Sequence, residues 1–431
     1  MARLTMGDFE FEIEKKAVDT IMVACTDGQG RLVGARLTAD YFMSEVLASG
    51  MYVPSSLLAT DATGQVNSTY PIADPASGYP SLHLRVDPTT LFRMPWQPGT
   101  VGVLGDLEFI DGSPVSIAPR TVLRRQAGRL EAASYTALLG PGLEFTLITA
   151  EPAMGGNHLA ARSARLEPTL HRIRRAISDM GIDIEGTFGL PGTGHFEVTM
   201  RPGDPMRICD GAVMSRNAIK DIAALEGCTA TFMAAHGDSG VSGHMSVSLR
   251  GQRGGAPLAD RYGEAGLSEV GKAFVAGLLE HAAELCLLYA PNVNSYRRFG
   301  TDPFAPTHLT WGEDNRTCAV RVVGSDTALR IENRIPGSDA NPYLTAAATI
   351  AAGLDGITHQ AKVPPVVSPT ADPLPTTLGE ALAAWEGSTW VRETFGPEVQ
   401  DHYATMARIE IEAAGASADL DWERERYLDG C

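Results

Sequence analysis

The chain has 431 residues, 44% of them hydrophobic and 20% charged, with a formal net charge of −17. That balance is globular, and the length fits two or three domains with a core that needs no staple. The acid is spread along the chain, which excludes non-specific nucleic-acid binding through a basic surface but leaves room for an anion held by a few arginines in a cleft.

Residues 1–112 read as short strands and turns. VDTIMVACTD (18–27), the G-Q-G turn and RLVGARLTA (31–39) predict a hairpin with one polar face. Residues 60–80, rich in Gly, Pro, Asn and Ser, predict a loop. A further strand is predicted from Val101 to Ile110, closed by the turn at Asp111–Gly112. PRTVLRRQAGRLEAA (119–133) then opens a helix, and the domain boundary is placed near it, giving domains 1–112 and 113–431. Beyond it helices and strands alternate. Leu170, Ile173, Ile177 and Met180 recur at helical spacing and stop at Gly181. Val213, Ile219, Ile222 and Leu225 mark a second helix, Val270, Phe274, Leu278 and Leu279 a third, and Ala340 to Leu354 a fourth. Pro364 to Pro375 is a proline-rich connector before the last helices. GLPGTG (189–194) lacks the Lys-Ser/Thr ending of a phosphate loop and reads as a turn.

The six cysteines lie far apart with no C-x-x-C pair, so neither a structural zinc site nor a redox motif is expected. The N-terminus lacks the apolar core of a signal peptide, and no run of 18 apolar residues occurs. A cytoplasmic protein away from membranes is the expectation.

The strands carry charge where apolar residues are usual. In LRIENR (329–334), period two puts Arg330, Glu332 and Arg334 on one face and Leu329 and Ile331 on the other. GLEFTLIT sets Glu144 among apolar neighbours, HFEVTM does so with Glu197, GHMSVSL opens with His244, and CAVRVV holds Arg321. Each alone reads as a solvent face. As a converging set the charges must pair or bind metal. Carboxylates with a histidine fit Mg²⁺ or Mn²⁺, and arginines fit phosphate or carboxylate. Together they point to phosphoryl transfer to an acid.

The same residues sit in six ordered motifs: CTATFM (228–233), VNSYRR (293–298), WGEDNRT (311–317), LRIENR (329–334), ANPYLTAAATIAAGLDGI (340–357) and DWERERYL (421–428). They resemble the glutamine synthetase superfamily from about Val18 to the end of the chain. WGEDNRT, RIENRIPG and Phe304 before Ala305-Pro306 resemble its γ-glutamylamine branch, which includes γ-glutamylpolyamine ligases. The resemblance implies an α+β fold, with an N-terminal β-grasp-like domain and a catalytic domain on an antiparallel sheet with flanking helices. It implies an ATP-dependent ligase joining the γ-carboxyl of glutamate to an amine, with two divalent cations. It also implies a homo-oligomer, usually a dodecamer of two hexameric rings.

Position by position, the resemblance assigns Glu144 and Glu197 to one metal, and His244 and Glu332 to the other. Arg316, Arg321, Arg330 and Ser248 fall on the ATP side, with Arg316 and Arg334 catalytic. Arg298, Arg334, Gly240 and Phe304 fall on the substrate side. The chain also departs from the pattern. Gly142 stands where a second-metal glutamate is usual, and Leu190 where a further first-metal glutamate is usual. Ser239 and Ser246 replace an asparagine and a histidine, and Phe304 replaces the flap glutamate that helps deprotonate ammonium. Phe304 suits an amine with an apolar part. The base for that amine is unassigned, with His195 and Asp204 the nearest candidates in sequence. Two other readings follow from the lost carboxylates: an enzyme on the same scaffold using another acid or no ATP, and a non-catalytic member. His281, His308 and His359 read as ordinary helix or loop histidines, and Met43, Met51 and Trp96 as core or interface residues.

Overall fold

The computed structural model describes residues 4–150, 165–237, 239–251, 254–368, 370–415 and 418–431. Two mixed sheets with flanking helices carry the chain, an α+β architecture.

The first sheet holds β1 (Thr20–Thr26), β2 (Leu32–Thr38), β3 (Met51–Pro54), β4 (Ser81–Val86), β5 (Phe92–Arg93) and β6 (Thr100–Glu108), in the order β2-β1-β6-β4-β3 with β5 on β6. The expected hairpin is present, pairing Thr20 with Thr38 through Thr26 with Leu32. β1 is buried along nearly its whole length because β6 runs parallel beside it. The strand-only reading of this region fails in two places. Met6–Glu14 is a helix although Phe9, Phe11 and Ile13 alternate with glutamates as a strand would. A capping box decides it: Thr5 Oγ1 accepts the Asp8 N–H, and the Asp8 carboxylate accepts the Thr5 N–H. Residues 39–49 are also helical, started by Thr38.

The second sheet holds β7 (Tyr135–Ile148), β8 (Ile184–Gly189), β9 (His195–Met200), β10 (Thr229–Thr231), β13 (Met245–Gly251), β14 (Trp311–Glu313), β15 (Val320–Val323) and β16 (Arg330–Asn333); a separate small hairpin pairs β11 (Ala235–His236) with β12 (Ser239–Gly240). Its order is β14-β15-β16-β13-β7-β9-β8, with β10 on β7. The expected antiparallel pattern holds except at the edge, where β14 and β15 run parallel. Helices Pro119–Ala132, Pro205–Leu225 and Pro342–Thr358 pack behind this sheet. One face of each strand is therefore apolar and buried, as Leu143, Phe145, Val198, Val247 and Ile331 are. The opposite face remains for the charged set.

The predicted helices appear as Pro119–Ala132, Glu167–Asp179, Pro205–Leu225, Glu269–Glu280 and Pro342–Thr358. GLPGTG is the turn between β8 and β9, with Gly192 and Gly194 at positive φ. Met43 and Met51 pack on the core, and Trp96 is buried with its indole N–H donating to Asp221 at 2.8 Å. Among the described residues no helix is long and apolar enough to cross a membrane.

Candidate active site

The charged faces meet in one pocket of about 1330 Å³. β7 contributes Gly140, Gly142, Glu144 and Thr146 at every second residue and then Leu147 and Ile148, and β9 contributes His195, Glu197, Thr199 and Met200. His244 and Ser246 come from the start of β13, Arg321 from β15, and Arg330, Glu332 and Arg334 from β16 and its end. The rim is closed by Leu190 and Pro191, by His236, Ser239 and Gly240 of the small hairpin, by Thr301 to Phe304, and by Arg316. Period two predicted the shared face of Arg330, Glu332 and Arg334, and the sheet register sets it beside the charged residues of the other strands.

Glu144 stands directly opposite Glu197 across β7 and β9. Glu144 is 8% exposed, and its Oε2 accepts the Ser242 N–H at 2.6 Å and lies 3.2 Å from His195 Nε2. Burial, then the Glu144 charge beside it, pushes the Glu197 carboxyl up to about 7. Burial works against a proton on His195, but the bond to Glu144 and its charge outweigh that and raise the imidazole above its ordinary value. His195 Nδ1 is held 3.0 Å from the Pro191 carbonyl.

Glu332 accepts from Arg334, and from Arg321 at 3.2 Å. Arg321 also binds the Asp314 carboxylate, and Arg334 Nε donates to the Arg316 carbonyl at 2.9 Å. His244 Nδ1 lies 3.9 Å from Glu332 Oε1. Among the described residues its Nε2 is buried without a hydrogen-bond partner. Burial, then the charges of Arg334, Arg298 and Arg321, holds His244 well below its ordinary pKa, so the ring is neutral with a lone pair to give.

Three expected site residues sit elsewhere. Ser248 donates to the Leu329 carbonyl at 2.8 Å and does not line the pocket. Arg298 is fully buried beside the pocket, where it donates to the carbonyls of Ile335 at 2.8 Å and Arg334 at 2.7 Å, and to Ser242 Oγ at 3.3 Å. It props the strand end that carries Arg334. Asp204 caps helix Pro205–Leu225 through the Arg207 N–H at 3.0 Å, which removes it as a candidate base. Gly240 and Phe304 do line the pocket, as do Leu190 and Ser246. A side chain at Gly240 would collide with Asp302. Phe304 is 44% exposed at the rim, and Arg316 is largely solvated.

Sequence reasoning missed Ser242, Asp302 and Asp314. Asp314 had a signal inside WGEDNRT; Ser242 acts through its backbone N–H, which no side-chain pattern displays.

A sequence profile of the glutamine synthetase catalytic domain matches residues 116–427. The chain belongs to the glutamine synthetase family. It is 41% identical to a gamma-glutamylethanolamide synthetase from Streptomyces coelicolor, over 96% of this chain and 93% of that one. It is 34% identical to a glutamate–isopropylamine ligase from a Pseudomonas species, over 99% and 98%. These similarities place it in the γ-glutamylamine ligase branch of the glutamine synthetase family. Its fold matches a solved GmaS–ADP complex with TM-score 0.84 and 26% identity, over 98% of this chain and all of that one.

Two observations test the pocket against a divalent cation. Among the described residues His244 Nε2 is an orphaned, buried, neutral donor, and Glu144 and Glu197 set two carboxylates opposite each other across β7 and β9. Among the described residues no three His, Cys, Asp or Glu side chains stand close enough together to hold a metal ion. The donor chemistry fits Mg²⁺ or Mn²⁺, which take one or two carboxylates and complete their shells with phosphates and water.

Proposed function

We propose that this family member is an ATP-dependent ligase that joins the γ-carboxyl of glutamate to an amine through a γ-glutamyl phosphate, with Mg²⁺ or Mn²⁺ as the cation. The observation that carries it is one pocket lined together by Glu144, Glu197, Glu332 and His244 and by Arg316, Arg321, Arg330 and Arg334. The named activities of the two similar relatives, both glutamate–amine ligations, support the same reading.

The reaction fits the residues as follows. In this reading Arg316, Arg321 and Arg330, which line the pocket, bind the ATP phosphates and the transferring phosphoryl. Arg334 neutralises the acyl phosphate, and fixed charges of this kind need no reorganisation at the moment of reaction. Glu144 and Glu197 would hold one cation and His244 and Glu332 another, and these would supply charge neutralisation for the transferring phosphoryl. Arg298 fixes Arg334 from behind, and Gly240 lets the Asp302 loop close on the substrate acid. A γ-carboxylate oxygen attacks the terminal phosphorus and ADP leaves; the amine nitrogen then attacks the acyl carbon, loses a proton, and inorganic phosphate leaves. Phe304 at the rim meets the carbon part of the amine.

The same reading includes the division into 1–112 and 113–431, a cytoplasmic setting and a ring assembly of two hexamers. Its test is phosphate release from ATP with Mg²⁺ or Mn²⁺, L-glutamate and a panel of amines including ammonium. Release that needs both glutamate and one amine establishes the ligase. Release with a different acid points to a divergent enzyme on this scaffold, and no release from folded, assembled protein points to a non-catalytic member.

A further inference from the structure

We infer that Asp302 is the group that receives the incoming amine, holding its ammonium head while Phe304, two residues on, meets its carbon chain. The inference rests on the ligase reading and names the residue that selects a charged alkylamine for it.

Among the described residues five carboxylates line the pocket: Glu144, Glu185, Glu197, Glu332 and Asp302. Glu332 is answered by Arg321 and Arg334, and Glu144 by His195 and the Ser242 N–H. Glu197 faces Glu144 across the sheet, and Glu185 stands exposed on the edge strand β8. Asp302 differs from all of these. It is half-buried, and among the described residues no cation pairs with it. A carboxylate drawn partly out of water without a cation is a place for one.

That carboxylate is held still. Its Oδ1 accepts the Phe304 N–H at 2.9 Å, a turn that aspartate favours. Its backbone N–H donates to the Arg298 carbonyl at 3.0 Å, and its carbonyl accepts the Ala305 N–H at 3.0 Å. It also rests on Gly240, where a Cβ would lie 2.4 Å from the Asp302 Cβ. An ionised carboxylate has about four acceptor sites, so one bond to Phe304 leaves room for a ligand. Carboxylate and exposed ring thus sit on one tight turn, a polar and an apolar part in the order an alkylamine presents its own. Leu190 adds apolar surface to the same pocket. Thr301, Asp302 and Pro303 also line a neighbouring cavity of about 620 Å³, so this segment is a wall open on both sides to an arriving cation. An alkylamine with a pKa of about 10 arrives as ammonium, which the four pocket arginines repel. A fixed carboxylate at Asp302 offsets that repulsion.

The test is steady-state phosphate release by the full, assembled protein with Mg²⁺, ATP and L-glutamate. It compares the alkylamine that gives the fastest release in the unaltered enzyme with hydroxylamine, a nucleophile that is uncharged at neutral pH. Asp302→Asn and Asp302→Ser both remove the charge and keep an oxygen for the Phe304 N–H, so the turn survives. We expect the KM for the alkylamine to rise roughly 10- to 100-fold in both, the loss of a hydrogen bond to a charged group. The KM for glutamate stays unchanged, and that for hydroxylamine moves much less than that for the alkylamine. An unchanged alkylamine KM in both variants, equal rises for alkylamine and hydroxylamine, or a rise confined to glutamate overturns the inference; the last assigns Asp302 to the α-ammonium of glutamate instead. The ligase reading survives all three results, because each is measured on phosphate release that needs glutamate and an amine. Absence of that release in the unaltered enzyme overturns both.

Discussion

Glu332 is clamped between Arg321 and Arg334, all three buried. Glu332→Ala leaves two buried guanidiniums facing each other. Breaking such a pair from one side costs about 3–5 kcal/mol. We expect a destabilisation of that order in urea unfolding, together with loss of phosphate release. Phe304 belongs to the same scale. Replacing it with glutamate puts a carboxylate at the rim, and we expect the kcat/KM ratio of an alkylamine over ammonium to fall by about tenfold or more. At this scale the sequence was a good guide to which side chains face the pocket, because alternation in a strand is local. It was a poor guide to Arg298 and Ser248. Both spend their bonds on backbone carbonyls brought up by distant segments, and that depends on tertiary packing.

Helix ends carry the next scale. His281 caps the C-terminus of Glu269–Glu280 and stacks on Trp390 at 3.6 Å between ring centres. Its Nδ1 meets Glu284 at 2.5 Å and its Nε2 meets Asp355 at 2.9 Å. Asp355 also meets His359 Nδ1 at 3.2 Å, and His359 Nε2 meets Glu280 at 3.0 Å. Burial opposes the proton on His281, but the bonds to Glu284 and Asp355 outweigh it and raise the folded-state pKa. A raised histidine pKa adds stability that is whole below the unfolded value of about 6.5 and is lost as pH rises through the folded value. We expect thermal stability to fall across that window, and His281→Gln to flatten the fall. Periodicity located Glu167–Asp179, Pro205–Leu225 and Glu269–Glu280 because each carries buried apolar residues at helical spacing. It failed at Met6–Glu14, where alternating Phe-Glu pairs mimic a strand and the Thr5 and Asp8 cap outweighs the pattern.

Across the whole molecule one apolar core runs through both sheets, and buried charged groups add links between them. Arg120, at the start of the helix after the first sheet, donates to Asp210 at 2.9 Å, Asp106 at 2.7 Å and Asp87 at 2.8 Å. The Tyr343 hydroxyl completes the group on Asp210 at 2.6 Å. Arg120→Ala leaves three carboxylates without their shared cation, and we expect about 3–5 kcal/mol of destabilisation by calorimetry, with the first sheet loosened from the second. Glu410 ties the chain's end to the first sheet's loops through Arg426 at 2.7 Å and the Ala62 N–H at 3.1 Å. None of these links was legible in the sequence, since each joins residues far apart in it. The parallel pairing of β1 with β6 and the register that sets Glu144 opposite Glu197 are of the same kind.

The central claim is that glutamate is activated as an acyl phosphate, and oxygen tracing tests it most directly. With L-glutamate carrying ¹⁸O in its γ-carboxylate, the attacking oxygen bonds to phosphorus and stays there when the amine displaces phosphate from carbon. The expected result is one labelled oxygen in the released phosphate for each amide formed. Amide formed with unlabelled phosphate would contradict the account.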